Sequence, residues 1–547
     1  MTASARLGRW VSSCSELFRT RAARWPGGVS APACVAAVWF ALALAMMLWA
    51  RGLEPIAFFT PDEAVNRLAG ELIAKTGRPF LELPFPDPEN AAHPRLWFSL
   101  GHYAVPLYPP VSLFAYGLLT YLGTFGLLLL VLFVASGVAA FAAGTARLLP
   151  PGRRLLGVFA PALASPALYW VLRPWMNISL FLVCIGWAVY SWARWRESER
   201  VGWLDATFAC VGAAAAIRPD YTAYLLLTTL ALGAAAKPSA WRRLLLGAVA
   251  AGAGAVCLNL PLNYVVTGHA FRAAYQLVLD PEQGAHPSPF WLRFLRILLF
   301  PMDPPPLDEF WRVFVRYWLN PRSVAFLALG QLAWIPIWRR QSKLGRWLSL
   351  AALVLLVVFM SSRMDPDTFG ARRPVAQLDD SIPRYWTPVY WLAVIAPLLL
   401  VARAARRWVM WGGAACLAAV AALCLHDAWI TPIQSILDEH SLTLTTPRRF
   451  EDLARRLRKR AIVYARPYDK LLWSRFLTGN LEEANATAAS MLRAHRHHFT
   501  PYLYVDGFQK DAVETIRQKL AEEHCVLVTD SARMRLYHLE RERDDAP

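Results

Sequence analysis

Long apolar runs, separated by short basic clusters, constrain this chain more than any other feature. A helix needs about 20 mostly apolar residues to cross a bilayer. About eleven runs approach that length, the first at 32–50 and the last at 408–430. The 547 residues are 56% hydrophobic, and the mean hydropathy is +0.32. Soluble multidomain proteins are less apolar, so the sequence predicts a polytopic α-helical membrane protein of about eleven transmembrane helices.

Clusters of arginine and lysine follow every second apolar run, and they predict the orientation. The clusters are Arg147, Arg153 and Arg154; Arg194, Arg196 and Arg200; Lys237, Arg242 and Arg243; Arg339, Arg340, Lys343 and Arg346; and Arg403, Arg406 and Arg407. Basic residues of short loops stay on the cytoplasmic side. Eleven spans with a cytoplasmic N-terminus place every cluster inside and every acid-bearing loop outside. Membrane orientation therefore explains the net charge of +18 better than nucleic-acid binding does.

The pattern divides the chain into three parts. Residues 1–30 form a basic cytoplasmic tail, whose length favours a retained anchor over a cleaved signal peptide. Residues 31–430 form the transmembrane module, with a first outer loop at 51–123. Within that loop, 107–122 is interpreted as an interfacial helix; if it crossed the membrane, all later assignments would invert. Residues 431–547 alternate short strands and helices, which predicts a small extracytoplasmic α/β domain.

Two adjacent carboxylates, Asp62 and Glu63, lie directly after the first apolar run. Thr60 is suited to a helix N-cap, and Pro61 to the first helical position. Lys75 and Gly77 supply the stop signal, so we expect a short amphipathic helix on the outer membrane surface. Acidic residues are common in any first helical turn, and this accounts for Glu63 as a cap. Adjacent residues on a helix face different ways, so the two acids are not expected to act as a matched pair.

Several short motifs carry a family resemblance when they are taken in order. They are Pro61-Asp62-Glu63-Ala64, His93-Pro94, Tyr108-Pro109-Pro110, Ala164-Ser165-Pro166-Ala167-Leu168, Leu260-Pro261 with Tyr264, and Pro383-Arg384-Tyr385 with Pro388. Over roughly residues 30–400 the chain resembles the GT-C class of integral-membrane glycosyltransferases. The likeness is to bacterial members such as the aminoarabinose transferase of lipid A and relatives of the protein O-mannosyltransferases.

The resemblance implies an inverting transfer of a sugar from a polyprenyl-phosphate donor. The acceptor would be a lipid, a glycan or a protein hydroxyl at the outer face of the bacterial cytoplasmic membrane. The first-loop aspartate, here Asp62, would be the catalytic base, with Glu63 as a second acid or a structural cap. Many relatives carry a second acid between spans three and four, where this chain has Asn177. A divalent cation is therefore left without assigned ligands, and Asp220 is the acid available to substitute.

Six further residues are candidates for contact with the substrate. Arg173, Arg218 and Arg384 each stand beside a proline at an outer span end, and guanidinium suits phosphate geometry. An arginine at that depth is also an ordinary interfacial anchor. Tyr385, His93 and Tyr108 complete the set through their place in the family-like motifs.

Three other functions fit parts of the pattern. A secondary transporter would carry ionisable residues at the bilayer midplane, whereas here the acids gather at one surface. A ligase or polymerase of surface polysaccharide would not need Asp62. A membrane-anchored assembly protein would depend on its C-terminal domain instead.

Overall fold

The fold is that of a computed structural model, which is mostly helical. It describes residues 30–51, 61–88, 91–93, 97–100, 102–236, 238–270, 343, 346, 347, 349–351, 387–430, 451–458, 460–466, 477–481, 483–505, 510–531 and 535–541. In the first 270 residues the helices are α1 Ala31–Arg51, α2 Pro61–Thr76, α3 Pro110–Tyr121, α4 Gly123–Leu148, α5 Ala160–Leu163, α6 Ser165–Val171, α7 Asn177–Ser198, α8 Val201–Ile217, α9 Thr222–Ala236 and α10 Trp241–Thr267. Later helices are α11 Thr387–Ala393, α12 Ile395–Ala402 and α13 Arg407–Ile430.

Five of the described helices are long and apolar enough to cross a membrane. They are α1, α4, α7, α10 and α13, while α8 and α9 are shorter apolar helices. Their positions agree with apolar runs of the sequence, and their length and composition indicate a membrane protein. The five do not confirm the predicted number of about eleven. The predicted eighth span and most of the ninth lie outside the described residues.

Close backbone packing joins α4 to α7 at the centre of the helical bundle. A Cβ added to Gly186 would lie 2.2 Å from the carbonyl oxygen of Gly137, and one on Gly137 would lie 2.6 Å from the Cα of Val183. Lipid tails compete for apolar side chains, so membrane helices associate through small residues that allow close approach. The aromatic rings of Phe141 and Trp391 stack at 4.4 Å on the same core and bring α11 against it.

The segment predicted as the third span differs from a continuous helix. A 3₁₀ helix at Pro151–Phe159 leads into α5, and α5 and α6 are separated at Ala164. Pro161 and Pro166 each lie at the start of their helix, where the missing N–H costs nothing. A proline further inside a helix would remove a hydrogen bond and clash with the preceding turn. The two prolines thus explain why the chain restarts its helix twice.

The first outer loop contains a small sheet that the sequence did not predict. Strand β1 (Leu81–Glu82) pairs with β3 (Tyr103–Pro106), and β3 pairs with β2 (Trp97–Leu100), all antiparallel. The proline-rich stretch 78–94 was expected to be irregular. Helices α2 and α3 pack on each other beside this sheet. Helix α3 begins at Pro110 and is not among the five candidate spans, and its interfacial location stays a prediction.

The C-terminal region is the expected α/β domain. Its elements are β4 Ala461–Arg466, β5 Leu477–Asn480, α14 Ala484–Arg496, β6 Thr500–Val505, α15 Lys510–Ala521, β7 Cys525–Ser531 and β8 Leu536–Arg541. The strand order is β5-β4-β6-β8-β7, with β4 parallel to both neighbours and the other pairs antiparallel. Helices α14 and α15 pack on one face of the sheet, and Leu453 packs on the other.

The first outer loop shares a hydrophobic core with the C-terminal domain. Phe85 and Ala92 of the loop are buried among residues of β4, α14 and α15. A folded core of this kind cannot extend through a bilayer, because loops and sheet edges do not occur in the lipid region. The loop and the domain therefore lie on the same side of the membrane, and an even number of crossings separates them.

Candidate functional site

The site is centred on Asp62, which is 6% exposed in the first turn of α2. The hydroxyl of Tyr108 donates a hydrogen bond to Asp62 Oδ1. Tyr108 lies between β3 and α3, so the loop sheet and the start of α3 together hold the carboxylate. The hydrogen bond fixes the direction of the carboxylate, which suits a residue expected to accept a proton from a bound hydroxyl.

The helix that carries Asp62 is fixed to the turn between α6 and α7. Asn66, wholly buried one helical turn after Asp62, donates from Nδ2 to the carbonyl oxygen of Trp175 at 2.8 Å. The guanidinium of Arg67 lies over the Trp175 ring, 4.7 Å from its centroid. Residues 62–66 of this helix are buried in the protein, and its predicted location on the outer membrane surface stays a prediction. The α6–α7 turn therefore lies within one helical turn of Asp62.

Glu63 is wholly buried and faces Tyr116 of α3. Burial raises the pKa of the Tyr116 phenol well above its usual value, and the negative charge of Glu63 adds to the rise. The Tyr116 hydroxyl donates to the carbonyl oxygen of Pro174 at 2.9 Å, and its ring lies 5.3 Å from that of Trp175. Thr60, with which Glu63 was expected to form a capping box, lies outside the described residues. Glu63 thus contributes to the contact between α2, α3 and the α6–α7 turn.

Arg173 and Asn177 lie on that turn and are almost fully buried, at 1% and 2% exposure. Arg173 Nη1 donates to the carbonyl oxygen of Tyr169 at 2.9 Å, and its guanidinium stacks 3.8 Å from the Tyr169 ring centroid. Ser179 Oγ donates to the carbonyl oxygens of Trp170 and Arg173, which closes the turn. The turn therefore holds a positive charge in an ordered, water-poor environment near Asp62.

Arg218 follows the last residue of α8 and is 5% exposed. Its guanidinium lies over the Tyr221 ring, 5.2 Å from the centroid, and that ring contacts Phe181 of α7 at 4.9 Å. Arg173 and Arg218 thus flank the same end of α7, and the start of α2 packs on the turn that precedes α7. The structure brings Asp62 and these two arginines to one end of the bundle.

His93 is 1% exposed, and its Nε2 atom lies 3.8 Å from Asp87 Oδ2. Asp87 also accepts a hydrogen bond from the Ala92 backbone N–H at 2.8 Å. The pair lies where the first loop meets the C-terminal domain. Asp220 belongs to the 3₁₀ turn Pro219–Tyr221 after Arg218. Arg384 and Tyr385 lie outside the described residues, so their predicted roles stay predictions.

Three polar residues of this region were not selected from the sequence. Asn66 lies four residues after Asp62 and therefore on the same face of the helix, and this spacing can be read from the sequence. Asp87 has no such signal, because its role depends on the fold of a proline-rich loop. Asn259 of α10 is 7% exposed and donates from Nδ2 to the carbonyl oxygen of Ala216 at 2.9 Å, two residues before Arg218.

Two of these side chains keep acceptor capacity in the buried interior. Asn66 Oδ1 and Asn259 Oδ1 have no hydrogen-bond partner among the described residues. A buried amide oxygen is costly without a donor, and a sugar hydroxyl is a suitable donor. Among the same residues, no group of three or more His, Cys, Asp and Glu side chains is arranged to hold a metal ion. The charged groups described at this end of the bundle are two carboxylates and three guanidinium groups, those of Asp62, Glu63, Arg67, Arg173 and Arg218, and neutral hydrogen-bonding side chains lie among them.

No model of a known protein family matches the chain, and no curated protein matches it.

Proposed function

We propose that this protein is an integral-membrane glycosyltransferase. It moves a sugar from a polyprenyl-phosphate donor to an acceptor at the outer face of the bacterial cytoplasmic membrane. The proposal depends chiefly on one observation, the buried Asp62 carboxylate that Tyr108 holds at the start of α2. The resemblance to the GT-C class and the five long apolar helices support it.

The proposed topology has eleven spans, a cytoplasmic N-terminus and an extracytoplasmic C-terminal domain. Ten of the eleven spans separate the first loop from that domain. The core that Phe85 shares with the domain supports an even number. On this topology Asp62, Arg173 and Arg218 all face the outer side, where the basic clusters are absent.

The mechanism assigns a separate task to each charged group. Asp62 accepts the proton of the acceptor hydroxyl as its oxygen attacks the anomeric carbon of the sugar. The bond from that carbon to the phosphate oxygen breaks, and the polyprenyl phosphate leaves with the electron pair. Arg173 and Arg218 stabilise the phosphate charge, which water screens weakly inside the protein. Attack opposite to the leaving group inverts the configuration of the sugar.

The test compares two carboxylate-to-amide changes on the same helix. Asp62→Asn removes the base, whereas Glu71→Gln alters a carboxylate that pairs with Arg67 at 2.7 Å further along α2. Membranes containing each variant are supplied with a panel of labelled polyprenyl-phosphate sugars. We expect Asp62→Asn to reduce transfer by about 100-fold or more while donor binding persists, and Glu71→Gln to retain transfer. Wild-type transfer by Asp62→Asn would overturn the proposal.

A further inference from the structure

Phe85 anchors the first outer loop inside the C-terminal domain. It is 1% exposed, and its ring is nearly parallel to that of His497, at 5.4 Å between centroids and 11° between planes. It also meets the Phe499 ring edge-on at 6.1 Å. Burial of an aromatic side chain of this size stabilises the contact through the hydrophobic effect. The domain therefore holds the loop through one large aromatic residue.

The contact is close enough to fix the relative position of the two parts. A Cβ added to Gly479 of β5 would lie 2.9 Å from the Ala91 carbonyl oxygen and 2.3 Å from the Tyr464 ring. The Tyr464 hydroxyl is hydrogen-bonded to Ser490 Oγ at 2.9 Å in the buried interior, so the ring has no room to move away. Strand β5 is an edge of the sheet. The loop thus lies over the face of β5, on the side where the Tyr464 ring lies.

A short, hydrogen-bonded path runs from Phe85 to Asp62. Leu83, two residues before Phe85, donates its backbone N–H to the His102 carbonyl oxygen at 2.9 Å. Strand β1 is paired with β3 in the register Leu81 to Ala104. Strand β3 ends two residues before Tyr108, which donates to Asp62. Covalent bonds and the hydrogen bonds of the loop sheet thus connect Phe85 to Asp62.

We propose that Phe85 is a positioning residue for the transfer reaction, and that the C-terminal domain fixes the geometry of the Asp62 site through it. This inference rests on the proposed function. The domain acts as a rigid support for the first loop. When the contact between Phe85 and the domain is lost, the hydrogen bond between Tyr108 and Asp62 becomes looser. Loss of about 1 Å in the placement of a catalytic group can cost on the order of 100-fold in rate.

The test uses Phe85→Ala with Phe125→Ala as its control. Phe125 is a 61% exposed phenylalanine of α4, away from the loop sheet and the C-terminal domain, and its replacement should leave kcat at the wild-type value. Steady-state transfer gives kcat and the donor KM of each variant. Alkylation of the buried Cys525 thiol, measured on its peptide, reports whether the C-terminal domain stays folded. Deuterium uptake of peptides covering 102–108 and 477–480 reports the loop sheet and β5.

We expect Phe85→Ala to lower kcat by about 10- to 100-fold while the donor KM changes by less than about threefold. Uptake should rise in both peptides, Cys525 should stay protected, and Phe85→Leu should recover much of the activity. Wild-type kcat with raised uptake in 477–480 would overturn the inference, and so would exposure of Cys525, because the domain would then have unfolded. If the wild-type protein transfers no sugar, the proposed function fails. The deuterium uptake of the 102–108 peptide then tests the contact between Phe85 and the loop sheet by itself. Unchanged uptake of that peptide in Phe85→Ala would show that Phe85 does not support the loop sheet.

Discussion

The hydroxyl of Tyr108 donates a hydrogen bond to Asp62 Oδ1, and this bond joins the beginnings of two helices. Asp62 lies in the first turn of α2, and Tyr108 lies just before α3. The bond fixes the direction of the carboxylate.

Replacing Tyr108 with phenylalanine tests whether this bond orients the base. Tyr108→Phe keeps the ring and removes only the donor. We expect kcat for transfer to fall by about 10-fold, because the carboxylate loses the hydrogen bond that orients it. The matched control is Tyr103→Phe, which removes the hydroxyl of a 44% exposed tyrosine on β3. Equal transfer by the two variants would contradict an orienting role for Tyr108.

Asn66 gives a prediction about stability. Asn66→Ala leaves the buried carbonyl oxygen of Trp175 without the amide donor that lies 2.8 Å away. A buried acceptor without its partner costs about 1–3 kcal/mol, so the midpoint of thermal unfolding in detergent should fall. Asn485→Ala, at an exposed position of α14, should leave the midpoint within about 1 °C of the wild type. A fall of the same size in both variants would show that the contact between α2 and the α6–α7 turn contributes nothing specific.

Local sequence signals predicted much of the helical structure. The expected stop at Lys75 and Gly77 is confirmed, since α2 ends at Thr76 and Gly77 has a φ of +73°. Glycine adopts this left-handed conformation without steric cost. The apolar runs likewise predicted α1, α4, α7, α10 and α13 to within a few residues, because twenty apolar residues leave few alternatives to a membrane helix.

Pairings between distant residues were not predictable in the same way. Strand β5 has only four residues, Leu477-Thr478-Gly479-Asn480, and two of them are poor strand formers. It exists because β4 pairs with it and because the first loop lies against it. The loop sheet and the Asp87–His93 pair also depend on residues that are distant from one another in the sequence. No local pattern in the sequence predicts these contacts.

Tyr116 gives a prediction about alkaline pH. Burial, and to a lesser extent the charge of Glu63, raises the pKa of its phenol well above the usual value of about 10. Above that value the unfolded chain loses this proton while the folded protein keeps it, so the free energy of unfolding falls as pH rises. The loss attributable to one such group is about 1.4 kcal/mol per pH unit until the folded-state pKa is reached.

The measurement compares Tyr116→Phe with the wild type from pH 9 to 11. The variant is less stable at pH 9, because it loses the hydrogen bond to the Pro174 carbonyl oxygen. Its stability should then fall less steeply than that of the wild type over the same range. Tyr121→Phe, at a 74% exposed position on the same helix, should retain the wild-type slope. Parallel curves for all three proteins would refute the assignment to Tyr116.

The contact between α4 and α7 gives the last prediction, which concerns the bundle that holds the site. Gly186→Ala would place a methyl group 2.2 Å from the Gly137 carbonyl oxygen, and backbone on both sides prevents local relief. The helices must move apart, and overpacking of this kind costs about 1–3 kcal/mol. Gly254→Ala in α10 is the control, since a Cβ there meets nothing within 4 Å, and alanine favours a helix by up to about 1 kcal/mol. Thermal unfolding in detergent should separate the two variants, with Gly186→Ala below the wild type and Gly254→Ala at or above it. A Gly186→Ala protein as stable as the wild type would mean that the close approach of α4 and α7 is not required to support the turn that carries Arg173.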